Sequence, residues 1–150
     1  MEAAIQLSAE HMRAGHGGPF GAIITRGDEI IATGWNQVTS SNDPTAHAEV
    51  SAIRAAGAKL NTFVLTGCVL YTSCEPCPMC LGAAYWSRVD RLVYAATRQD
   101  AAAIGFDDEE LYQELVLPIA KRKLPMQQVM RDTAAAVMGE WKTLPGKIHY

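Results

Sequence analysis

At 150 residues the chain has the length of one domain, and folding at this length buries roughly 70% of the surface that the unfolded chain exposes. Hydrophobic residues make up 49% and charged residues 19%, a globular composition that excludes intrinsic disorder. The net charge of -3, from 13 Lys+Arg against 16 Asp+Glu, supplies no basic excess to neutralise a phosphate backbone, which argues against a nucleic-acid partner.

The opening segment MEAAIQLSAEHMRAG places Ile5, Met12 and alanines at helical spacing, and GHGGPFG stops that pattern. It lacks the basic-then-apolar order of a signal peptide, and no apolar run reaches the ~20 residues of a membrane span, so a cytoplasmic location with no membrane partner is expected. AIIT and IIAT around RGDE predict a hairpin, and NQVTSSNDPT a loop. Asp43 and Pro44 have the order of a helix cap and first helical residue, predicting a helix from there through Ala58. CVLYT is expected as a buried strand, CPMCLGAAYWSR as a helix opened by Pro76 or Pro78, and RLVYAAT as another strand. FDDEELYQELV is expected as a helix, PMQQVM as a last strand and RDTAAAVMGEWKT as a last helix before the tail LPGKIHY. Alternating strands and helices predict an α/β sheet covered by helices on both faces, with a site at the strand ends where helices begin. With no repeat or linker, residues 1–150 are expected to form a single domain.

Cys74, Cys77 and Cys80 stand at three-residue intervals in TSCEPCPMC, a clustering that in a reducing compartment indicates metal or redox chemistry. Cys68, apart from them, is expected as a small core residue. Upstream, TAHAE carries His47 and Glu49, which lie two apart and converge on one point only at a helix end. Cys77 and Cys80, three apart, share one face of the next helix start. Two thiolates and a neutral imidazole balance Zn²⁺, leaving a water or hydroxide as fourth ligand. His47 with all three cysteines would instead make a closed structural knot, and a thioredoxin-type redox pair is a third reading. Glu49, which a closed knot does not require, favours an open site. H-x-E followed by P-C-x-x-C resembles the signature of zinc deaminases, in which the Glu is general acid/base and not a ligand. On that reading His47, Cys77 and Cys80 hold zinc, Glu49 moves protons, and Cys74 packs behind.

GGPFGA, SNDPTAHAEV, YTSCEPCPMCLGA and GFDDEELY together resemble the bacterial guanine deaminases of the cytidine deaminase-like zinc superfamily, over nearly the whole chain. The zinc motif alone points only to the superfamily; the flanking words narrow it. The resemblance implies a three-layer α/β/α cytidine deaminase-like fold with a central mixed sheet. It also implies one zinc per subunit and hydrolysis of guanine, a small-molecule purine base, to xanthine and ammonia. Substrate contacts carry over to Asn36, Phe20, Trp86, Asp108 and Tyr150, Asn36 meeting the purine ring and Asp108 the amidine edge. A homodimer in which the C-terminal segment covers the partner's site is likewise implied. Lys121 to Lys147 match less well, and a second catalytic acid in that segment, such as Glu140, is left open. So is a guanosine or other nucleoside substrate; a tRNA adenosine substrate is disfavoured by the acidic balance.

The residues also have ordinary readings. An asparagine beside a loop, such as Asn36, is commonly a turn former, and Asp107 to Glu110 are the acidic first turn of a solvated helix. Trp86 and Phe20 fit core packing as well as stacking on a base. His11, His16 and His149 have no partner spacing and are expected on the surface or in loops. The glycines of 15–21 lead into a strand, which excludes a phosphate loop.

Overall fold

The computed structural model describes residues 1–149; Tyr150 lies outside the described residues. The chain forms two compact units, Met1–Glu109 and Glu110–Tyr150. The first contains helix α1 (Glu2–Arg13), strands β1 (Gly21–Arg26) and β2 (Glu29–Trp35), and helices α2 (Val38–Ser41) and α3 (Ala48–Leu60). Strand β3 (Cys68–Cys74), helix α4 (Pro78–Ser87), strand β4 (Arg91–Ala96) and helix α5 (Arg98–Ala103) complete it.

The strands form one mixed sheet in the order β2-β1-β3-β4, with β1 antiparallel to β2 and β3, and β3 parallel to β4. A parallel pair cannot be closed by a tight turn, and α4 supplies the crossover. Two glycines show how the helices are layered. A Cβ on Gly21 would lie 2.4 Å from the Ala4 carbonyl oxygen of α1, and one on Gly34 would lie 2.3 Å from the Ala48 carbonyl oxygen and 2.4 Å from the Ala52 nitrogen of α3. Gly34 pairs with Ala22, the residue after Gly21, and successive strand residues point to opposite faces. Helices α1 and α3 therefore cover opposite faces, and α4 packs beside α3. The expected three layers are present, with Ala22, Ile24, Leu70 and Cys68 buried against Ala48, Ala52 and Ala56. Small residues on both sides let α3 approach to backbone contact.

The expected helix start at Asp43 and Pro44 is not observed. Asp43 Oδ1 accepts from the Thr45 N–H at 2.8 Å and the Thr45 hydroxyl at 2.7 Å, and Ala46 N–H donates to the Asp43 carbonyl at 3.0 Å. This is a β-turn with Pro44 in its second position, an arrangement that Asp-Pro serves as well as it serves a helix start. The helix begins at Ala48, with His47 as its extended N-cap, and ends at Leu60 with Asn61 as a left-handed cap. Of the two prolines before α4 it is Pro78 that opens the helix, behind Cys77 as N-cap. Helices α2 and α5 lie where none was expected.

In the second unit, helix α6 (Glu109–Val116), which starts at the unit boundary, and helix α7 (Arg131–Thr143) flank a short 3-10 turn at Ile119–Lys121. The expected strand over residues 125–130 is absent: the unit offers no strand to pair with it, and Pro125 has no N–H to give. None of this unit's described residues is buried, although Leu111, Leu115, Ile119, Leu124, Val137 and Met138 are apolar.

Gly34→Ala is expected to lower stability by about 1–3 kcal/mol or more, because the new methyl meets backbone atoms that cannot rotate away. The denaturant midpoint should fall with an unchanged m-value.

Candidate metal centre and substrate cavity

β3 ends at Cys74, and the next turn delivers Cys77 to the N-terminus of α4, while the β-turn at Asp43 delivers His47 to the N-terminus of α3. Both residues are N-caps with extended backbone, and neither side chain caps its helix. They turn toward each other. His47 Nδ1 lies 3.6 Å from Cys77 Sγ and 3.5 Å from Cys80 Sγ, and among the described residues these three form the group able to hold a metal, with ligand atoms within 4.8 Å of one another. A tetrahedral ion with Zn–N of about 2.05 Å and Zn–S of about 2.3 Å has an N-to-S edge near 3.6 Å, so the donor set fits zinc.

Cys74 is not part of that set. Its Sγ donates to the Thr97 carbonyl at 3.5 Å, and burial pushes its thiol up to about 11. The closed four-ligand knot is thereby disfavoured on geometry, and three protein ligands leave a position open. The Cys77 thiol is lowered to about 4, first by the hydrogen bond from Cys80 and then by His47, while the same Cys77–Cys80 bond pushes Cys80 up. His47 is raised by its bond to Cys77. Metal binding to this group releases its protons, since thiolate and neutral imidazole are the ligating forms.

Glu49 occupies the second position of α3 and is 6% exposed. Its Oε1 accepts from the Thr72 hydroxyl at 3.0 Å, and burial raises its carboxyl above the usual range. Thr72 shares the α3 face of β3 through its pairing with Ala22. The strand therefore aims Glu49 into the cavity beside the ligands.

That cavity, about 310 Å³, is lined by His47, Glu49 and Cys77 together with Asn36, Phe20 and Asp108. It lies at the small end of ligand sites, which span roughly 300–1,000 Å³. Asn36 Oδ1 accepts from the N–H groups of Gly18 and Val38, each at 3.3 Å. Both partners are donors, so the amide is oriented and its Nδ2 hydrogens remain to donate. Gly17 makes this approach possible, since a Cβ there would lie 2.2 Å from the Asn36 carbonyl oxygen. Phe20 meets Phe106 edge to face, with centroids 4.9 Å apart. Asp108 is raised by partial burial and by the Cys77 charge, with Arg98 opposing.

Asn36, Phe20, His47, Glu49, Cys77 and Asp108 line one cavity, and Cys80, the third member of the ligand group, is buried. Trp86 does not line the cavity; it is 66% exposed on α4, which also removes its expected place in the core. Glu140 lies exposed on α7. His11 and His16, expected to lack partners, meet at 2.8 Å between their Nδ1 atoms, and His11 stacks on Trp35. Sequence reading passed over Phe106, Glu75 and Arg98. Phe106 was detectable as the aromatic beside the acidic pair of GFDD, whereas Arg98 sits on a helix that no periodicity announced.

Residues 1–96 match the cytidine and deoxycytidylate deaminase zinc-binding region. The chain belongs to that deaminase family. It is 49% identical to the guanine deaminase of Bacillus subtilis (strain 168) over 150 residues, covering 100% of this chain and 96% of the relative. The X-ray structure of guanine deaminase from Bacillus subtilis superposes with a TM-score of 0.96, covering 99% of this chain and 95% of the other. A guanine deaminase structure from Nitrosomonas europaea matches at a TM-score of 0.69 and 34% identity, covering 95% of this chain and 82% of the other. The fold is the cytidine deaminase-like α/β/α sandwich, and the family's metal is zinc, one ion per subunit, for which the His47, Cys77 and Cys80 group is suited.

Cys74→Ser is expected to retain one zinc per chain, because Cys74 bonds to the Thr97 carbonyl and lies outside the ligand group. Cys77→Ser and Cys80→Ser should lose the metal. Zinc content of the purified variants by elemental analysis distinguishes the open site from a four-ligand knot.

Proposed function

We infer that the protein catalyses zinc-dependent hydrolytic deamination of guanine to xanthine and ammonia. The observation that carries this reading is a buried carboxylate, Glu49, beside an open three-ligand donor set in a cavity of about 310 Å³, in a chain 49% identical to a guanine deaminase along its whole length.

His47, Cys77 and Cys80 would hold the zinc, which when bound would supply the Lewis acidity that lowers the pKa of a water toward ~7. Glu49 accepts a proton from the attacking water and delivers it to the ring nitrogen next to the attacked carbon. In a second transfer it takes the proton of the hydroxyl now bonded to that carbon and gives it to the exocyclic amine. The C–N bond breaks, ammonia leaves and the carbonyl of xanthine forms, so one water is consumed for each ammonia released. The Thr72 hydroxyl holds one Glu49 oxygen in place during both transfers. Asn36 donates to an acceptor atom of the purine. Asp108 accepts from the donors of its amidine edge, and Phe20 with Phe106 packs against the flat ring. The same polar groups disfavour pyrimidines, which leave some of them unpaired.

The protein acts as a homodimer in which Glu110–Tyr150 of one subunit docks on the other. The support is the absence of any buried residue among the described part of this unit, whose apolar side chains need a surface to cover them. Tyr85 and Trp86 on α4, 77% and 66% exposed, offer aromatic surface of the kind interfaces use. In this arrangement Tyr150 closes the partner's cavity around the base and excludes water.

Ammonia release should be highest with guanine in a panel that includes guanosine, cytosine, cytidine and adenine; comparable turnover of guanosine would replace the base with a nucleoside. Glu49→Gln should keep one zinc and lose turnover by at least about 10²-fold. Loss of zinc in that variant would make Glu49 a ligand. Deleting residues 147–150 should leave a folded, zinc-loaded protein with sharply reduced guanine turnover, and full activity would remove the lid.

A further inference from the structure

Among the described residues lining the cavity, Arg98 is the cation, and the chemistry above gives it no part. It is the first residue of α5, a helix started by a capping box in which Thr97 and Asp100 bond to each other. The Arg98 backbone N–H donates to Glu75 Oε2 at 3.1 Å, and the Glu75 N–H donates to the Ala96 carbonyl at 2.8 Å. Glu75 lies two residues before Cys77. The start of α5 is therefore tied from two sides to the loop that carries a metal ligand.

At the other end of the side chain, Nη1 lies 3.4 Å from Glu109 Oε2. Glu109 directly follows Asp108, in a segment anchored at its start by Phe106, whose N–H donates to the Ala101 carbonyl at 3.0 Å and whose ring meets Phe20. Residues 106–108 are in neither helix nor strand, and Gly105 before them has φ +94°. A second cavity of about 150 Å³ borders Arg98, Asp107, Asp108 and Glu109, leaving room for the carboxylate to swing aside. The ion pair is half open to water, its side chains 32% and 51% exposed. Pairs of this kind add little stability, so its consequence is positional.

We propose that Arg98 is a positioning residue for substrate recognition: tied through Glu75 to the metal-ligand loop and gripping Glu109, it holds the Asp108 carboxylate at a set reach from the metal centre. This rests on the reading of Asp108 as acceptor for the amidine edge of guanine. A purine held at both the metal and Asp108 tolerates little change in that reach, since a misplacement of about 1 Å can cost on the order of 10²-fold.

The test uses the full-length, zinc-loaded protein and its Arg98→Gln, Arg98→Lys and Glu109→Gln variants. Zinc content, kcat and KM for guanine, and hydrogen exchange of the amides at 105–109 are measured. Arg98→Gln should keep one zinc, raise KM about tenfold or more with kcat within about threefold, and speed exchange at 105–109. Arg98→Lys should recover most of the loss, and Glu109→Gln should reproduce a smaller version, carrying the test if Arg98→Gln does not fold. An unchanged KM and exchange in Arg98→Gln would overturn the proposal. So would loss of zinc, which would make Arg98 a brace for the ligand loop, or a lysine variant no better than glutamine. If the parent protein holds zinc but turns over no guanine, the reading of the substrate fails instead. Exchange at 105–109 then decides the positioning role by itself, faster exchange supporting it and unchanged exchange overturning it.

Discussion

The structure turns on the meeting of two helix N-termini whose cap residues have given up capping. A Ser, Thr or Asp in the N-cap normally satisfies a free N–H of the first turn, and its loss costs about 0.5–2 kcal/mol. His47 and Cys77 hold those positions on α3 and α4 and make no such bond. Their side chains meet at hydrogen-bond distance instead. The positive ends of both helices then face one cluster, which favours thiolates, a carboxylate and any anion generated there. Everything else in the first unit serves that convergence. Gly34 and the alanines of α3 bring its backbone against the sheet, and the β3–β4 crossover sets α4 alongside.

Chemistry and recognition are built from different parts. The donor set and Glu49 stand on the first turns of two helices, braced by Thr72 from the central sheet. The cavity-lining groups proposed for recognition lie on connecting segments: Phe20 before β1, Asn36 after β2, Phe106 and Asp108 between α5 and α6. Rigid elements hold reacting groups to a fraction of an ångström, whereas loops change shape without disturbing them. A single zinc centre can therefore serve different amines when the loops differ. It also explains why loop residues here carry unusual restraints: Asn36 is gripped by two backbone N–H groups, and Asp108 is followed by an ion-paired Glu109.

The second unit poses the opposite problem. Its helices carry an apolar side on α6 and α7 without a core of their own, since none of the described residues is buried. Forty or so residues rarely bury enough surface to fold unaided. A docking surface elsewhere is the physical requirement that the proposed dimer meets.

Much of the metal centre was legible in the sequence, because its geometry is local. Cys77 and Cys80 share a face at any helix start, and His47 and Glu49 converge only over a helix end, so spacing brought these residues to one place, while the deaminase signature and not spacing assigned their roles. The hairpin, the buried strand at Cys68 and the α/β order followed from periodicity for the same reason. What spacing left open was decided by contacts between distant segments. Cys74 matches its neighbours in the motif, yet its sulfur bonds to the carbonyl of Thr97, brought beside it by the β3–β4 pairing, and stays outside the ligand group. Asp43-Pro44 suits a helix start or a turn equally well, and it became a turn where the chain has to deliver His47 to the cluster. Residues 125–130 have the composition of a strand and no sheet edge in their unit to join. Asn36 and Arg98 take their orientation only from the partners that folding brings to them, Gly18 and Val38 for the one, Glu75 and Glu109 for the other. Local backbone geometry is written in residue spacing, but which of several satisfied arrangements a polar group adopts depends on what lies across the fold.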